Sequence, residues 1–148
     1  MLDYKSNSII LLQGVFTPDV LKKIKAPKGI DIFICEGRPS LEAGKFNSKA
    51  LLARGIAPTV ISDNMAGFLF FKGFVKEVII ACQYADKTGA LCDTGALIAA
   101  VLASKHKVPV KLLQGKLKTR FLGDPKDVLS FEGKLIAPKG TKAYLPLV

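Results

Sequence analysis

The chain has 148 residues, 49% of them hydrophobic, and no apolar run approaches the roughly 20 residues that a membrane-spanning helix needs. Its 22 Lys and Arg residues against 12 Asp and Glu residues give a net charge of +10, which favours anionic partners. These values exclude an intrinsically disordered chain and predict a single domain over residues 1–148 with one buried core. The first residues lack the pattern of a cleavable signal peptide, so we expect a cytoplasmic protein without a membrane partner.

Five short apolar segments are predicted as strands, and helical segments lie between them. Most of the strand segments are continuously apolar and rich in Ile and Val, as in strands that are covered on both faces. This alternation predicts an α/β fold, a Rossmann-like three-layer domain with a mainly parallel sheet of five or more strands. The predicted strands are residues 8–12, 30–35, 58–62, 77–82 and 108–113, and the predicted helices are residues 18–25, 46–55, 63–73 and 92–107.

The C-terminal part departs from this alternation. Two short apolar runs separated by APKGTK, residues 137–142, predict a β-hairpin or an arm over about residues 128–148. Residues 105–148 also hold ten Lys or Arg residues against three acidic residues. A basic surface that contacts RNA or the ribosome is therefore one candidate function, although the aromatic and basic signature of specific RNA readout is missing.

The cysteines and the single histidine do not predict a metal site. Three cysteines without a C-x-x-C spacing offer too few ligands, and we expect neither a metal nor a cofactor. Cys35 and Cys82 end apolar segments, where a free cysteine usually behaves as a small buried residue. Cys92 begins the fourth predicted helix, whose dipole could lower the pKa of its thiol, but an inert thiol is the preferred interpretation there too.

Polar residues follow the predicted strands at the edge where open parallel sheets bind ligands. Arg38 offers a planar fork to a phosphate, and Glu36 can accept hydrogen bonds from sugar hydroxyls. The alternative is that one of these two side chains pairs with Asp63 and only ties the loops together. Segment 87–96 adds free backbone N–H groups at a predicted helix N-terminus flanked by Gly89 and Gly95. The predicted ligand-binding residues are Gln13, Gly14, Glu36, Arg38, Asp63, Asn64, Gln83, Thr94 and Gly95.

Three segments resemble motifs of one known family. EGRPSLEAG, residues 36–44, resembles the E-T-R-P or E-S-R-P motif of the family that joins methylthioribose-1-phosphate isomerase, ribose-1,5-bisphosphate isomerase and the regulatory subunits of translation initiation factor two-B. LLARGIAPTVISDNMAGFLF and EVIIACQYADKTGALCDTGALIAAVLASKHKVPV are similar to the motifs that follow in the same family. Order and spacing agree over residues 30–113.

The resemblance implies a Rossmann-like C-terminal domain that binds a phosphorylated sugar or nucleotide and commonly dimerises. It also implies, for the isomerases, a cysteine after the first strand and an aspartate after the fourth. This sequence has Gln13 or Gly14 at the first position and Gln83 at the second, and a glutamine amide does not exchange protons near neutral pH. The Asn-Lys pair of the family maps onto Cys92 and Asp93.

We therefore expect a non-catalytic binding domain for a phosphorylated sugar or nucleotide, which acts through homodimerisation or partner contact. The apolar segment GFLFFKGF, residues 67–74, is the expected dimer surface. An alternative is an isomerase-like enzyme whose chemistry has moved to Cys92, Asp63 or Asp86. The sequence does not identify the ligand.

Overall fold

The computed structural model of the protein describes residues 4–148. Five parallel strands form a sheet in the order β3-β2-β1-β4-β6, and a short strand, β5, pairs antiparallel with the end of β4. The α/β class and all five predicted strands are confirmed. The strands are β1 (Ile9–Gln13), β2 (Asp31–Cys35), β3 (Thr59–Ile61), β4 (Val75–Ala85), β5 (Ala90–Cys92) and β6 (Val110–Gln114).

Helices cover both faces of the strands β1, β2 and β4, which explains why these strands are continuously apolar, whereas β6 is largely exposed. α1 and a π-helix that runs into α2 lie on one face, while a 3-10 turn, α3 and α4 lie on the other. In the part of the chain that the structure describes, no helix is long and apolar enough to cross a membrane. The helical elements are α1 (Pro18–Lys23), the π-helix (Ala43–Asn47), α2 (Ser48–Leu52), the 3-10 turn (Asp63–Met65), α3 (Ala66–Phe71) and α4 (Ala96–His106).

Alternate residues of the central strands enter two separate cores. On β1, Ile9 and Leu11 face the core under α3 and α4, whereas Ile10 and Leu12 face the core under α1 and α2. β1 is buried along its whole length, and each such side chain contributes about 1.5–3 kcal/mol by leaving water. The central strand is therefore fixed from both faces, and its C-terminal end presents Gln13 at a rigid position.

The segment between β4 and α4 differs from the prediction. Residues 90–92 form β5, and α4 begins at Ala96, so neither Gly89 nor Cys92 lies at a helix N-terminus. The Asp86 carboxylate accepts hydrogen bonds from the backbone N–H groups of Thr88 and Gly89, at 2.7 and 3.2 Å. This turn reverses the chain and starts the antiparallel strand β5. The glycine-rich sequence of this segment does not reveal the turn.

A C-terminal hairpin and an arm are both present, but the hairpin turn is not APKGTK. β7 (Ser130–Phe131) pairs with β8 (Lys134–Leu135) after a short helix, α5 (Lys126–Leu129). Glu132 and Gly133 form the turn with φ of 50° and 75°, the left-handed pair that two-residue hairpin loops require. Residues 143–148, here called the C-terminal arm, instead pair with the segment that follows β6, where Pro146 forms a bridge with Leu122.

Candidate functional site

The C-terminal ends of the parallel strands surround a small cleft, which we call the strand-end cleft. The loops after β1, β2 and β6 and the residues before α4 form its walls, and the C-terminal arm forms its mouth. Its cavity volume is about 40 Å³. The residues that line it are Gln13, Gly14, Val15, Gly37, Arg38, Pro39, Ser40, Ala43, Asp93, Thr94, Lys118, Leu145, Pro146 and Leu147.

Four of the nine predicted ligand-binding residues line the strand-end cleft, and the other five do not. Gln13, Gly14, Arg38 and Thr94 come together there from three separate loops. The remaining five lie behind or beside the lining, and Asn64 is exposed to solvent. These five are Glu36, Asp63, Asn64, Gln83 and Gly95.

Asp93 and Lys118 form the charged floor of the cleft, and the sequence did not indicate either residue as a ligand contact. An Asp93 carboxylate oxygen lies 3.4 Å from the Lys118 ammonium and accepts a hydrogen bond from the Gln83 amide at 3.3 Å. The other oxygen accepts from the Val15 N–H at 3.4 Å. Lys118 was missed because it lies four residues beyond β6, the one strand whose exit contributed nothing to the predicted set.

Gln83 acts as a brace for this floor. Besides donating to Asp93, its side-chain oxygen accepts a hydrogen bond from the Lys118 backbone N–H at 2.9 Å. Both ends of the amide are therefore engaged, and the brace fixes the loop after β6 against the residues before α4. A side chain held in this way can fix the walls of the cleft, but its amide neither gives nor takes a proton near neutral pH.

The loop after β1 is shaped by a glycine and a buried asparagine. Gly14 has φ of +87°, and a Cβ there would lie 2.9 Å from the Ala81 Cβ, so a larger residue would collide with β4. Asn47, which is completely buried, donates to the Gly14 carbonyl at 2.8 Å and accepts from the Phe16 N–H at 3.3 Å. Asn47 thus fixes the first wall of the cleft from the end of the π-helix.

Asp63 holds the loop after β2, in a different way from the predicted one. The Asp63 carboxylate accepts hydrogen bonds from the backbone N–H groups of Gly37 and Arg38, at 2.9 and 2.8 Å. Asp63 is the first residue of the 3-10 turn, directly after Ser62. The loop is therefore tied to β3 through its backbone, and the Arg38 side chain is left for another partner.

The Arg38 guanidinium stacks on the hairpin. Its central carbon lies 4.3 Å from the centroid of the Phe131 ring, a distance typical of a cation–π contact. This contact places the β7–β8 hairpin beside the cleft while the guanidinium edge stays available to an anion, since stacking uses only the face of the group.

The pKa values of Cys35, Cys92 and Asp86 do not suit proton transfer at neutral pH. Burial, together with the neighbouring Cys82 and Asp93, raises the pKa of Cys92 to about 11, the opposite of the direction predicted for a helix N-terminus. Burial likewise raises the pKa of Cys35 to about 12. Hydrogen bonds from Thr88 lower the pKa of the exposed Asp86 carboxyl, which therefore stays ionised. Among residues 4–148, no three potential metal ligands are grouped closely enough to hold an ion.

The sequence is similar to one family over most of its length. The model of the Initiation factor 2 subunit family matches residues 15–148. The chain is 33% identical over 133 residues to the methylthioribose-1-phosphate isomerase of Syntrophobacter fumaroxidans, and the match covers 80% of this chain and 37% of that protein. It is 34% identical over 140 residues to the same-named protein of Geotalea uraniireducens, with 82% and 39% covered. The chain thus spans less than two fifths of the length of these relatives.

Two solved structures share the fold. The 5-methylthioribose 1-phosphate isomerase from Pyrococcus horikoshii OT3 matches with a TM-score of 0.76 and 22% identity, over 96% of this chain and 46% of that chain. The translation initiation factor eIF-2B, subunit delta, from A. fulgidus matches with a TM-score of 0.76 and 20% identity, over 97% and 48% of the two chains. One sheet architecture thus serves an isomerase and a translation factor, so the fold alone does not decide between the two functions.

Proposed function

Because the chain belongs to the Initiation factor 2 subunit family, we propose that it is a non-catalytic domain that binds a phosphorylated sugar or nucleotide in its strand-end cleft. The observation that carries the proposal is the meeting of Arg38, Lys118 and Thr94 at the carboxyl ends of parallel strands. Two cations and a hydroxyl at this edge match the chemistry of a phosphate group attached to a polar ring. The net charge of +10 supports an anionic ligand.

The polar side chains of the cleft support binding without catalysis. Conversion of an aldose to a ketose needs groups that take and give protons near neutral pH. Gln13 and Gln83 are amides, and the Asp93 carboxylate is already bound by Lys118 and by a backbone N–H. Of the residues that an altered mechanism would need, Cys92 has a raised pKa and Asp63 is bound to two backbone N–H groups.

A second copy of the chain is the proposed partner. The exposed apolar side chains of α3 and α4 lie on one side of the molecule, and an apolar groove of about 900 Å³ lies between those of α4 and those of β6. Exposed apolar side chains that are grouped on one surface support an interaction site, because monomers usually leave only small apolar patches in water. The exposed apolar residues are Phe68 and Phe71 of α3, Leu97, Ile98 and Val101 of α4, and Val110 and Leu112 of β6.

Thermal unfolding with and without ligand tests the binding proposal. Ribose 5-phosphate or AMP, added well above its dissociation constant, should raise Tm by several degrees, because a ligand at about 100 times Kd stabilises the folded state by about 2.7 kcal/mol. Ribose and adenosine are the matched controls, and they should raise Tm much less. If the phosphorylated and unphosphorylated compounds act alike, or if none of them acts, the proposal is wrong.

The isomerase names of the relatives favour one alternative function, an enzyme with altered catalytic residues. A coupled assay with methylthioribose 1-phosphate and ribose 1,5-bisphosphate separates the two proposals. We expect no turnover by the natural chain. Turnover in the ordinary enzymatic range, about 1–10³ per second, would refute the non-catalytic proposal. In that case, the turnover of Gln83→Ala, which removes the brace of the cleft, and of Cys92→Ser would show whether either residue takes part in catalysis.

A further inference from the structure

The C-terminal arm closes the mouth of the strand-end cleft. Thr94 donates two hydrogen bonds to it, from its hydroxyl to the Pro146 carbonyl at 2.6 Å and from its N–H to the Leu147 carbonyl at 3.2 Å. The Lys118 ammonium donates to the same Leu147 carbonyl at 3.4 Å. The arm is therefore fastened by residues that also line the cleft.

The closed cleft is too small for the proposed ligand. A volume of about 40 Å³ holds a few water molecules, since one water needs roughly 10–15 Å³ of such space. Pockets for small molecules are usually about 300–1,000 Å³. The other walls are loops that lead directly into or out of the sheet and its helices, whereas no residue of the arm belongs to either core. The arm is therefore the wall that can move with the least loss of core packing.

Lys118 joins the arm to the charged floor. Its ammonium contacts both the Asp93 carboxylate and the Leu147 carbonyl, and its side chain is only 23% exposed. A phosphate competes with Leu147 for the ammonium N–H groups, and it forms the stronger bond because it carries charge and the carbonyl does not. Asp93 alone would repel a phosphate, so the ligand can approach this floor only beside the lysine.

We propose that Lys118 binds the phosphate group of the ligand and, in doing so, releases Leu147, so that ligand binding opens the C-terminal arm. This inference rests on the proposed function, and it adds the anion-binding residue and the moving element. Lys118 thus has two roles: it fastens the arm in the free protein and recognises the ligand in the complex.

The test combines ligand affinity with amide hydrogen exchange on the full chain. Ribose 5-phosphate and inorganic phosphate are the probes, and calorimetry gives their Kd. The reporting amides are those of Leu147, which donates to Phe121, and Gly123, which donates to Leu145. Saturating ribose 5-phosphate should speed exchange at both amides about tenfold, while amides of the central strand β1 should not change.

Three variants complete the test. Lys118→Gln should weaken ribose 5-phosphate binding at least about tenfold and should speed exchange of the arm amides without ligand. Lys118→Arg keeps the charge and should retain most of the affinity, which separates loss of the cation from a folding defect. Lys116→Gln is the matched control, because this lysine pairs with the exposed Glu42 outside the cleft. Its affinity and exchange rates should stay within about twofold of the natural values.

The outcomes distinguish this inference from the proposed function. If ribose 5-phosphate binds without faster exchange in the arm, or if Lys118→Gln binds as tightly as the natural chain, the inference is wrong and the proposed function stands. If neither probe binds the natural chain or any variant, both are wrong.

Discussion

Asp93, Gln83 and Lys118 show how single residues set the chemistry of the cleft. The carboxylate and the ammonium lie 3.4 Å apart and partly neutralise each other, and the amide of Gln83 bonds to both residues. Such a cluster can recognise charge and hydrogen-bonding groups, and every member already takes part in a hydrogen bond or an ion pair. Binding without chemistry is thus the expected outcome of these particular side chains.

At Arg38 we predict a loss of affinity with little loss of stability. Arg38→Ala should weaken binding of a phosphorylated ligand by about 1.5–3 kcal/mol, the usual range for hydrogen bonds to charged groups. The free energy of unfolding should change far less, because the guanidinium stacks on Phe131 at the surface rather than in either core. Calorimetry and urea unfolding measure the two effects. A variant that unfolds, or one that binds unchanged, would show that Arg38 is structural.

At Cys92 we predict slow alkylation with a diagnostic pH dependence. A pKa of about 11 leaves almost no thiolate at pH 8, so iodoacetamide should label folded Cys92 at least about tenfold more slowly than the same cysteine in urea. Because the shift is upward, the rate in the folded protein should keep rising with pH from 8 to 10. In urea the rate should be half-maximal near pH 8.5 and should level off about one pH unit higher. Peptide-level mass spectrometry measures both rates, and a plateau near pH 8 in the folded protein would contradict the account.

At the scale of elements, the loop between β2 and the π-helix depends on one carboxylate. The Asp63 carboxylate accepts hydrogen bonds from the backbone N–H groups of both Gly37 and Arg38. The loop carries the second wall of the cleft, so its rigidity decides how well Arg38 is placed for a ligand.

Replacing this carboxylate should therefore loosen the loop locally. Asp63→Ala should speed amide exchange at Gly37 and Arg38 about tenfold or more, since each loses its acceptor. The amides of Thr88 and Gly89, which Asp86 holds in the same manner, are internal controls and should be unaffected. Unchanged protection at Gly37 and Arg38 would mean that other contacts hold the loop.

The elements also show what the sequence could and could not predict. β1, β2 and β4 were predictable because strands covered on both faces are continuously apolar, and the predicted family resemblance is confirmed. β6 was predictable from its apolar run, although it is largely exposed in the structure. β5 was missed because its turn depends on the Asp86 carboxylate, and a glycine-rich segment also suits a helix start. The positions of Lys118 and of the C-terminal arm depend on contacts between residues far apart in the chain, which no local pattern encodes.

At the scale of the whole molecule, the net charge and the apolar surface have opposite effects on self-association. The net charge of +10 opposes self-association, whereas the apolar residues of α3, α4 and β6 favour it. At physiological salt, charges more than about 8 Å apart are largely screened, so the apolar surface should prevail.

We accordingly predict a homodimer at micromolar concentration. Light scattering should report twice the chain mass of 15.9 kDa. Leu97→Glu should produce the monomer, because it places a charge on the exposed face of α4, and Phe71→Glu tests whether the interface extends to α3 as the sequence predicts. Leu135→Glu is the matched control. Leu135 lies on the β7–β8 hairpin and is 72% exposed, which is close to the 76% exposure of Leu97. A monomer of the natural chain at these concentrations would contradict the prediction.

The central claim is that the strand-end cleft binds the phosphate-bearing ligand, and a ¹⁵N chemical-shift titration with ribose 5-phosphate tests it most directly. We expect saturable shifts concentrated at the amides of Gly14, Arg38, Thr94 and Lys118, with much smaller shifts when ribose replaces the phosphorylated sugar. Shifts spread over the basic surface of residues 105–148, or no shifts at all, would contradict it.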